Sequence, residues 1–490
     1  MNNFEDLKEL GLSLVSEGKN EEAINIFEEA VKLEPAHFDV RNFLGILYYR
    51  QEDYNKSAAN FIEAYKTNQE NRDLILNLVN VLMKINMKDK AFMIVEQYWR
   101  QHPDDDEMAQ LYEELRNKSI NKVSFSKEKN PDGLNILFLQ NSPCIRNYKY
   151  ATALRKKGHN VSLAYTDIKL SQRYKNLDDD TYVENIKIES YPKLWDISKN
   201  YDIIHSHNEP DLYTVAALGG DVPVVHDTHD LISLRDSDPN LKYFEGLANR
   251  ASHGRIYSTP YQRDEAKSLY GVKGDSLVFY NYASEEHLPK KFLPKLSQKD
   301  GKIHFVYEGG IYVTNGRHRD FGDQFVELAK RGICVHIYPD NFFQDVAEYF
   351  APYENVYYNH PIPPHELIET MTQFDFGIIP WNLVKGNVRF LASTIANKLF
   401  EYMAAGLPVA TANITSYINY FKENPTGVTF ESIDDLIKKL PKLQEIKAKV
   451  DFSKEVYTYE GEIDKVVEFY KQIIKKHKSG KKESAIPVEN

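Results

Sequence analysis

The chain has 490 residues, 42% hydrophobic, 27% charged and 12% aromatic. That is a globular composition with room for two to four domains at roughly 100 to 200 residues each. Its net charge of −11, from 61 Lys and Arg against 72 Asp and Glu, excludes a protein that coats nucleic acid or an anionic membrane, because both need a basic face. No run approaches the roughly 18 apolar residues of a membrane span, and Met1-Asn2-Asn3-Phe4-Glu5-Asp6 is acidic where a secretory signal is basic, so a cytoplasmic protein is expected. Cys144 and Cys334 are too few for a disulfide framework or a four-ligand zinc site.

The first hundred residues repeat with a period of 34. Leu10, Leu44 and Leu78 fall in register, as do Ala23, Ser57 and Ala91, and Phe27, Phe61 and Val95. Gly11 pairs with Gly45, Ala30 with Ala64, and Pro35 with Pro103. Each unit reads as two amphipathic helices with small residues where they cross closely. This pattern resembles the tetratricopeptide repeat. Three units are expected, the third with Val79 for the glycine and Tyr98 for the small residue, followed by a polar capping helix over 104–118. The resemblance implies a solenoid that recognises a protein, either an acceptor or a scaffold. Residues 1–118 hold 14 Lys and Arg against 23 Asp and Glu, so −9 of the charge belongs to this domain.

Residues 119–133 are polar, end in Pro131-Asp132-Gly133 and read as a linker or short arm. The period then changes. Asn135–Leu139 reads as a buried strand, Tyr148–Lys157 as a helix ending at Gly158, and Val161–Ala164 as a second strand, which is a βαβ unit. Strands are expected over 201–206, 222–226, 254–258 and 276–280. A second series begins at Ile303–Tyr307, opens into Gly309-Gly310, and continues with a helix at 323–331 and strands at 335–338, 356–358, 376–379 and 408–411. The expectation is an α/β fold of two doubly wound domains, 134–290 and 291–455, with a ligand cleft at the carboxyl ends of their strands. A terminal helix over 456–478 and a basic, solvated tail over 479–490 complete the chain.

Asn397-Lys398-Leu399-Phe400-Glu401-Tyr402-Met403-Ala404-Ala405-Gly406-Leu407-Pro408-Val409 resembles the nucleotide-sugar signature of GT-B glycosyltransferases of the retaining family 4 type. Asp202 to Asn208 and Pro223 to Leu231 resemble two further segments of that family. Asn355 to Pro363, containing Ile362, resembles the loop whose backbone holds the base, and Asp375 to Pro380 the strand after it. The physics of the signature agrees. A helix beginning near Thr394 would offer amides to a diphosphate, Lys398 would add a cation, and Glu401 would accept both hydroxyls of a ribose. The sequence departs from the family pattern at Ser393, where an acid contacting the donor sugar is usual, and at Gly310, where an arginine is usual. Arg317 or Arg319 is then expected to clamp the phosphates.

The resemblance implies transfer without a metal, the leaving diphosphate being met by Arg317, Arg319, Lys398 and the amides near Ser393 and Thr394, with Gly309 and Gly310 beside it. Asp178-Asp179-Asp180 sits in a polar loop without companion ligands and is not read as a metal site. His229 matches the position expected to face the sugar. His207, Asn208 and Glu209, at a strand end, are candidates for the acceptor side. If the enzyme inverts instead, Asp227, His229 or Glu209 must serve as general base. The architecture resembles repeat-bearing protein O-glycosyltransferases, including those that modify flagellin or adhesins. It implies a hexosyl- or N-acetylhexosaminyltransferase that uses a nucleotide sugar, a UDP-sugar favoured, as substrate and needs no further cofactor. The competing readings are a transferase of polysaccharide or lipid-linked glycan assembly, and a non-catalytic adaptor.

Overall fold

The structure is a computed structural model. It describes every residue except 1, 2, 86, 103, 104, 120–124, 142, 167–180, 314, 315, 384–386 and 485–490. Pro103, Ser142, the Asp178-Asp179-Asp180 run and the end of the tail therefore lie outside the described residues. Contacts divide the chain into Met1–Lys122, together with Pro361–Pro363, and the remainder.

The first unit is a run of antiparallel helix pairs: α1 (Phe4–Ser16), α2 (Asn20–Leu33), α3 (Phe38–Arg50), α4 (Tyr54–Thr67), α5 (Arg72–Lys84), α6 (Lys88–Gln101) and α7 (Asp106–Ser119). Asn3, Asp53 and Asn71 cap α1, α4 and α5 by accepting from backbone N–H groups of the first turn. The 34-residue register has a steric cause. A Cβ on Gly11 would lie 2.3 Å from the Phe27 ring, and one on Gly45 2.5 Å from Phe61. Ser57, standing where the other repeats have alanine, is fully buried and donates its hydroxyl to the Gly45 carbonyl at 2.7 Å. In the third repeat Val79 and Val95 are both buried, dividing between two medium side chains the space that glycine and phenylalanine divide unequally. Leu44 and Leu78 are buried, whereas Leu10 is exposed. The closing helix α7 is tied to α5 by Arg72, whose Nε donates to Asp105 at 2.7 Å and which also bonds Glu107.

The second unit contains two wholly parallel sheets. The first has seven strands, β1 (Asn135–Leu139), β2 (Asn160–Tyr165), β3 (Asn185–Lys187), β4 (Ile203–His207), β5 (Val224–Thr228), β6 (Gly254–Tyr257) and β7 (Ser276–Val278), in the order β3-β2-β1-β4-β5-β6-β7. The second has six, β8 (His304–Glu308), β9 (Cys334–Tyr338), β10 (Val356–Tyr358), β11 (Phe376–Ile379), β12 (Val409–Ala412) and β13 (Gly427–Phe430), in the order β10-β9-β8-β11-β12-β13. Central strands are buried on both faces, which is why they read as continuous apolar runs. The edge strands β3 and β13 escape a reading of the sequence, since Asn185-Ile186-Lys187 and Gly427-Val428-Thr429-Phe430 carry no such run.

Two segments outside the sheets are tied to them. Residues 125–133 do not hang free. Lys127 donates to the Tyr182 carbonyl at 2.7 Å, and Asn130 and Asn160 exchange hydrogen bonds through backbone and side chain, which binds this arm to the start of β2 and the segment before β3. The terminal helix runs Asp464–Ser484, so the described part of the tail over 479–484 continues it. It packs against the first sheet. A Cβ on Gly254 would meet Ile473 at 2.9 Å and Phe469 at 3.0 Å, and Tyr470 hydrogen-bonds His205. Among the described residues no helix is long and apolar enough to cross a membrane.

Candidate active site

Strand order reverses once in each sheet, between β1 and β4 and between β8 and β11. A cavity of about 440 Å³ opens at the carboxyl ends of β5, β6, β8 and β11. His229, Asp230 and Asn281 face it from the first half. Glu308, Gly309, Arg319, Thr394, Lys398 and Glu401 face it from the second.

The second-half wall is set by the helix Lys398–Ala404. Tyr402 pins that helix by passing over Gly377, where a Cβ would lie 2.3 Å from the ring. Its hydroxyl accepts from the Glu308 N–H at 3.1 Å and donates to the Ile378 carbonyl at 3.3 Å. Lys398 and Glu401, three residues apart, thereby face the end of β8 together. Gly309 has φ +98°, and a Cβ there would stand 3.3 Å from Lys398 Nζ. A Cβ on Gly310 would stand 2.5 Å from Arg319 Nη1. The two glycines thus let two cations come up to the backbone on either side of one turn, a diphosphate-sized concentration of positive charge.

Glu401 lies 3.6 Å from the buried Lys149, which also donates to the Tyr282 carbonyl at 3.0 Å. Glu401 is hydrogen-bonded to Glu308. Burial, followed by the neighbouring Glu401, pushes Glu308 well above the usual carboxylate range. Burial alone would raise Glu401 too, but the hydrogen bond from Glu308 and the charge of Lys149 bring it below its ordinary value. Both directions favour a proton on Glu308 over one on Glu401.

On the first-half wall, His229 follows β5 directly. Its backbone N–H donates to Asn208 Oδ1 at 3.0 Å and its carbonyl accepts from Gln262 at 3.0 Å. Its Nε2 lies 3.0 Å from His207 Nδ1 and its Nδ1 3.5 Å from Cys144 Sγ. Beneath them Asp227 takes a two-point contact from Arg146, at 3.0 Å from both Nε and Nη2, and a bond from His205 at 3.2 Å. Burial opposes the charge on Asp227, yet Arg146 holds it well below the usual carboxylate range. Burial pushes His229 down to about 3, against the pull of Asp227. A neutral imidazole with both nitrogens held by protein groups is a poor general base.

The structure thus gathers His229, Gly309, Arg319, Thr394, Lys398 and Glu401 around one cavity. The remaining expected residues stand elsewhere. Asp227 is fully buried in its ion pair and does not line the cavity. His207 is buried behind His229, and Asn208 is spent on the backbone of His229 and Asp230. Glu209 is exposed and pairs with Arg235 at 3.2 Å. Arg317 is exposed on the same loop as Arg319 but outside the lining, and Ile362 lies in the loop between β10 and the helix Pro364–Met371. No helix begins near Thr394. The short helix Val388–Ala392 ends there, and the amides of Ser393 and Thr394 are taken by the Phe390 and Leu391 carbonyls. Ser393 is fully buried, its hydroxyl donating to Phe390 and its carbonyl accepting from Thr259. It cannot substitute for a sugar-contacting acid. Glu308, Asp230, Lys149 and Arg146 were missed in the sequence. The Tyr307-Glu308-Gly309 step at a strand end was the available signal for the first of these.

A glycosyltransferase family 4 model matches residues 146–283 and a glycosyl transferase-like model residues 317–455. Tetratricopeptide-repeat models match residues 11–52 and 48–115. With the two doubly wound sheets and their shared cavity, these matches define a glycosyltransferase of GT-B fold. Its front is a tetratricopeptide-repeat domain. A glycosyltransferase from Rickettsia africae ESF-5 is similar with a TM-score of 0.51 and 14% identity over 70% of this chain and 99% of that one. Sucrose-phosphate synthase from Thermosynechococcus elongatus gives 0.50 and 12% over 69% and 98%. A Thermobaculum terrenum O-GlcNAc transferase mutant gives 0.47 and 11% over 97% and 99%. At such identities the likeness is one of fold. Comparison with curated proteins returns no match.

Proposed function

We propose that the protein transfers a sugar from a nucleotide-diphosphate sugar, a UDP-sugar favoured, to a hydroxyl of a protein acceptor that the repeats engage, in the cytoplasm. The observation that carries the donor half is the convergence of Lys398, Arg319 and Glu401 around the Gly309-Gly310 turn, two cations for a diphosphate and a carboxylate for ribose hydroxyls. Retention is favoured because the three bases considered for inversion are unsuited to it. Asp227 is locked to Arg146, His229 is held near pKa 3 and Glu209 is paired at the surface. The diphosphate's charge is met by side chains, so no metal is assigned to the reaction. The protein acceptor is supported by the repeat unit and its acidity.

The test is incubation of the protein with a panel of nucleotide sugars and candidate host proteins, read by intact-mass spectrometry. Added hexose or N-acetylhexosamine mass on a protein, lost in Glu401→Ala and Lys398→Ala, is the expected result. Transfer only to a lipid-linked or soluble glycan would move the reading to glycan assembly. No transfer and no donor hydrolysis would leave an adaptor.

A further inference from the structure

Glu308 is a carboxyl at the cavity whose place in the donor reading is open. It closes β8, is buried to more than nine-tenths, and faces the same cavity as Glu401 and Lys398. Its Oε1 is buried without a hydrogen-bond partner among the described residues, while the carboxyl as a whole contacts Glu401. A buried carboxyl in contact with a second, half-buried one ionises alongside it only at high cost, so the pair favours one proton held between them. The groups around them come from five places: Glu401 and Lys398 on the helix Lys398–Ala404, Lys149 on the helix Ile145–Lys156, Arg319 beyond Gly310, Asp340 after β9, and His287 near Glu401. The hydroxyls of Tyr307 and Tyr402 flank them and, being buried, stay protonated.

We propose that Glu308 is a donor-binding residue that works as the undissociated acid, sharing one proton with Glu401 so that the pair presents a single negative charge to the ribose hydroxyls and leaves Lys149, Lys398 and Arg319 in excess for the diphosphate. This rests on the donor-site reading above. The unpartnered Oε1 gives an incoming hydroxyl a second oxygen beside Glu401. Loss of the shared proton adds a negative charge where an anionic ligand must enter, in a water-poor site where it is weakly screened. The burial-raised titration of Glu308 gives the direction: donor affinity is highest while the acid is intact and falls, by up to about tenfold per pH unit, once it dissociates.

The experiment measures binding of UDP-glucose, UDP-N-acetylglucosamine and GDP-mannose to the full chain by calorimetry from about pH 7, above the titration of Asp230 at about 6 across the cavity, to about pH 8.5, where the diphosphate diester does not titrate. In parallel, the infrared carbonyl stretch of a protonated carboxylic acid is followed in wild type and in Glu308→Gln. A band present in wild type near neutral pH, absent in Glu308→Gln, and lost with pH in step with affinity is expected. Glu308→Gln should show no alkaline fall in affinity, and Glu308→Ala, lacking the second oxygen, should bind about tenfold more weakly at every pH. If the band persists to the alkaline end, affinity must stay level with it. Absence of the band near neutral pH, a fall in affinity while the band remains, or a Glu308→Gln profile parallel to wild type would overturn the role of Glu308 alone. Failure of every nucleotide sugar to bind at any pH would instead overturn the donor-site reading.

Discussion

Gly309 and Gly310 are adjacent but constrained by different things. Gly309 sits at φ +98°, a backbone region that side chains enter at a cost of about 1–3 kcal/mol, so Gly309→Ala should lower the melting temperature and donor affinity together. At Gly310 the obstacle is the end of a flexible guanidinium, which can move aside. Gly310→Ala should therefore change stability by less than about 0.5 kcal/mol while raising the nucleotide-sugar KM roughly tenfold by displacing Arg319. Equal effects of the two substitutions on melting would contradict this division. Asp230 offers a pH test. Burial, then the nearby Glu209, raises its carboxyl to about 6, against the attraction of Arg235. Asp230 faces the cavity, and if it accepts a substrate hydroxyl there it does so ionised, so activity should rise with pH through about 6 and Asp230→Asn should remove that acidic limb. Lys398, Glu401 and His229 were legible because a motif surrounds them. Glu308 and Asp230 were not, since each is one charged residue beside a strand end whose partners arrive from distant segments.

At the scale of elements, the repeat register and the central strands were legible for one physical reason: their spacing is dictated by burial. The Gly45–Phe61 contact illustrates it, and so does the Val79–Val95 pair that occupies the corresponding space in the third repeat. Gly45→Val should destabilise the repeat unit by about 1–3 kcal/mol through overpacking against Phe61. Phe61→Val in addition should recover part of that loss, and a double-mutant cycle with no coupling would show that the space is not shared. What stayed illegible follows from the same rule. The helix start near Thr394 was misplaced because Ser393 and Thr394 are good N-cap residues by type, yet both close the preceding turn. The helix that matters is positioned by a tertiary contact. Tyr402→Phe leaves the Glu308 N–H and the Ile378 carbonyl without that hydroxyl, and should cost about 1–3 kcal/mol as well as donor affinity. Unchanged donor binding in a destabilised Tyr402→Phe variant would mean the helix is held by its packing alone.

At the scale of the molecule, the charge is unevenly divided. The repeats carry −9 of the net −11, leaving the glycosyltransferase part close to neutral. An anionic ligand would therefore meet no large repulsive field there, while a partner rich in Lys or Arg would be drawn to the repeats over a distance set by screening. The two units also have separate hydrophobic cores, the repeat clusters around Phe27 and Phe61 and the sheet clusters around Phe138 and Phe305 containing no common residue. Removal of residues 1–122 should then leave a folded second unit that still hydrolyses nucleotide sugar slowly but no longer modifies a protein. Salt gives an independent check. Raising ionic strength from roughly 0.05 M to 0.5 M shortens the screening length from about 14 Å to about 4 Å, so the KM for a protein acceptor should climb in the full chain by more than the KM for donor hydrolysis does. If protein modification survives the deletion, or if salt moves the two constants alike, the repeats do not engage the acceptor through their charge.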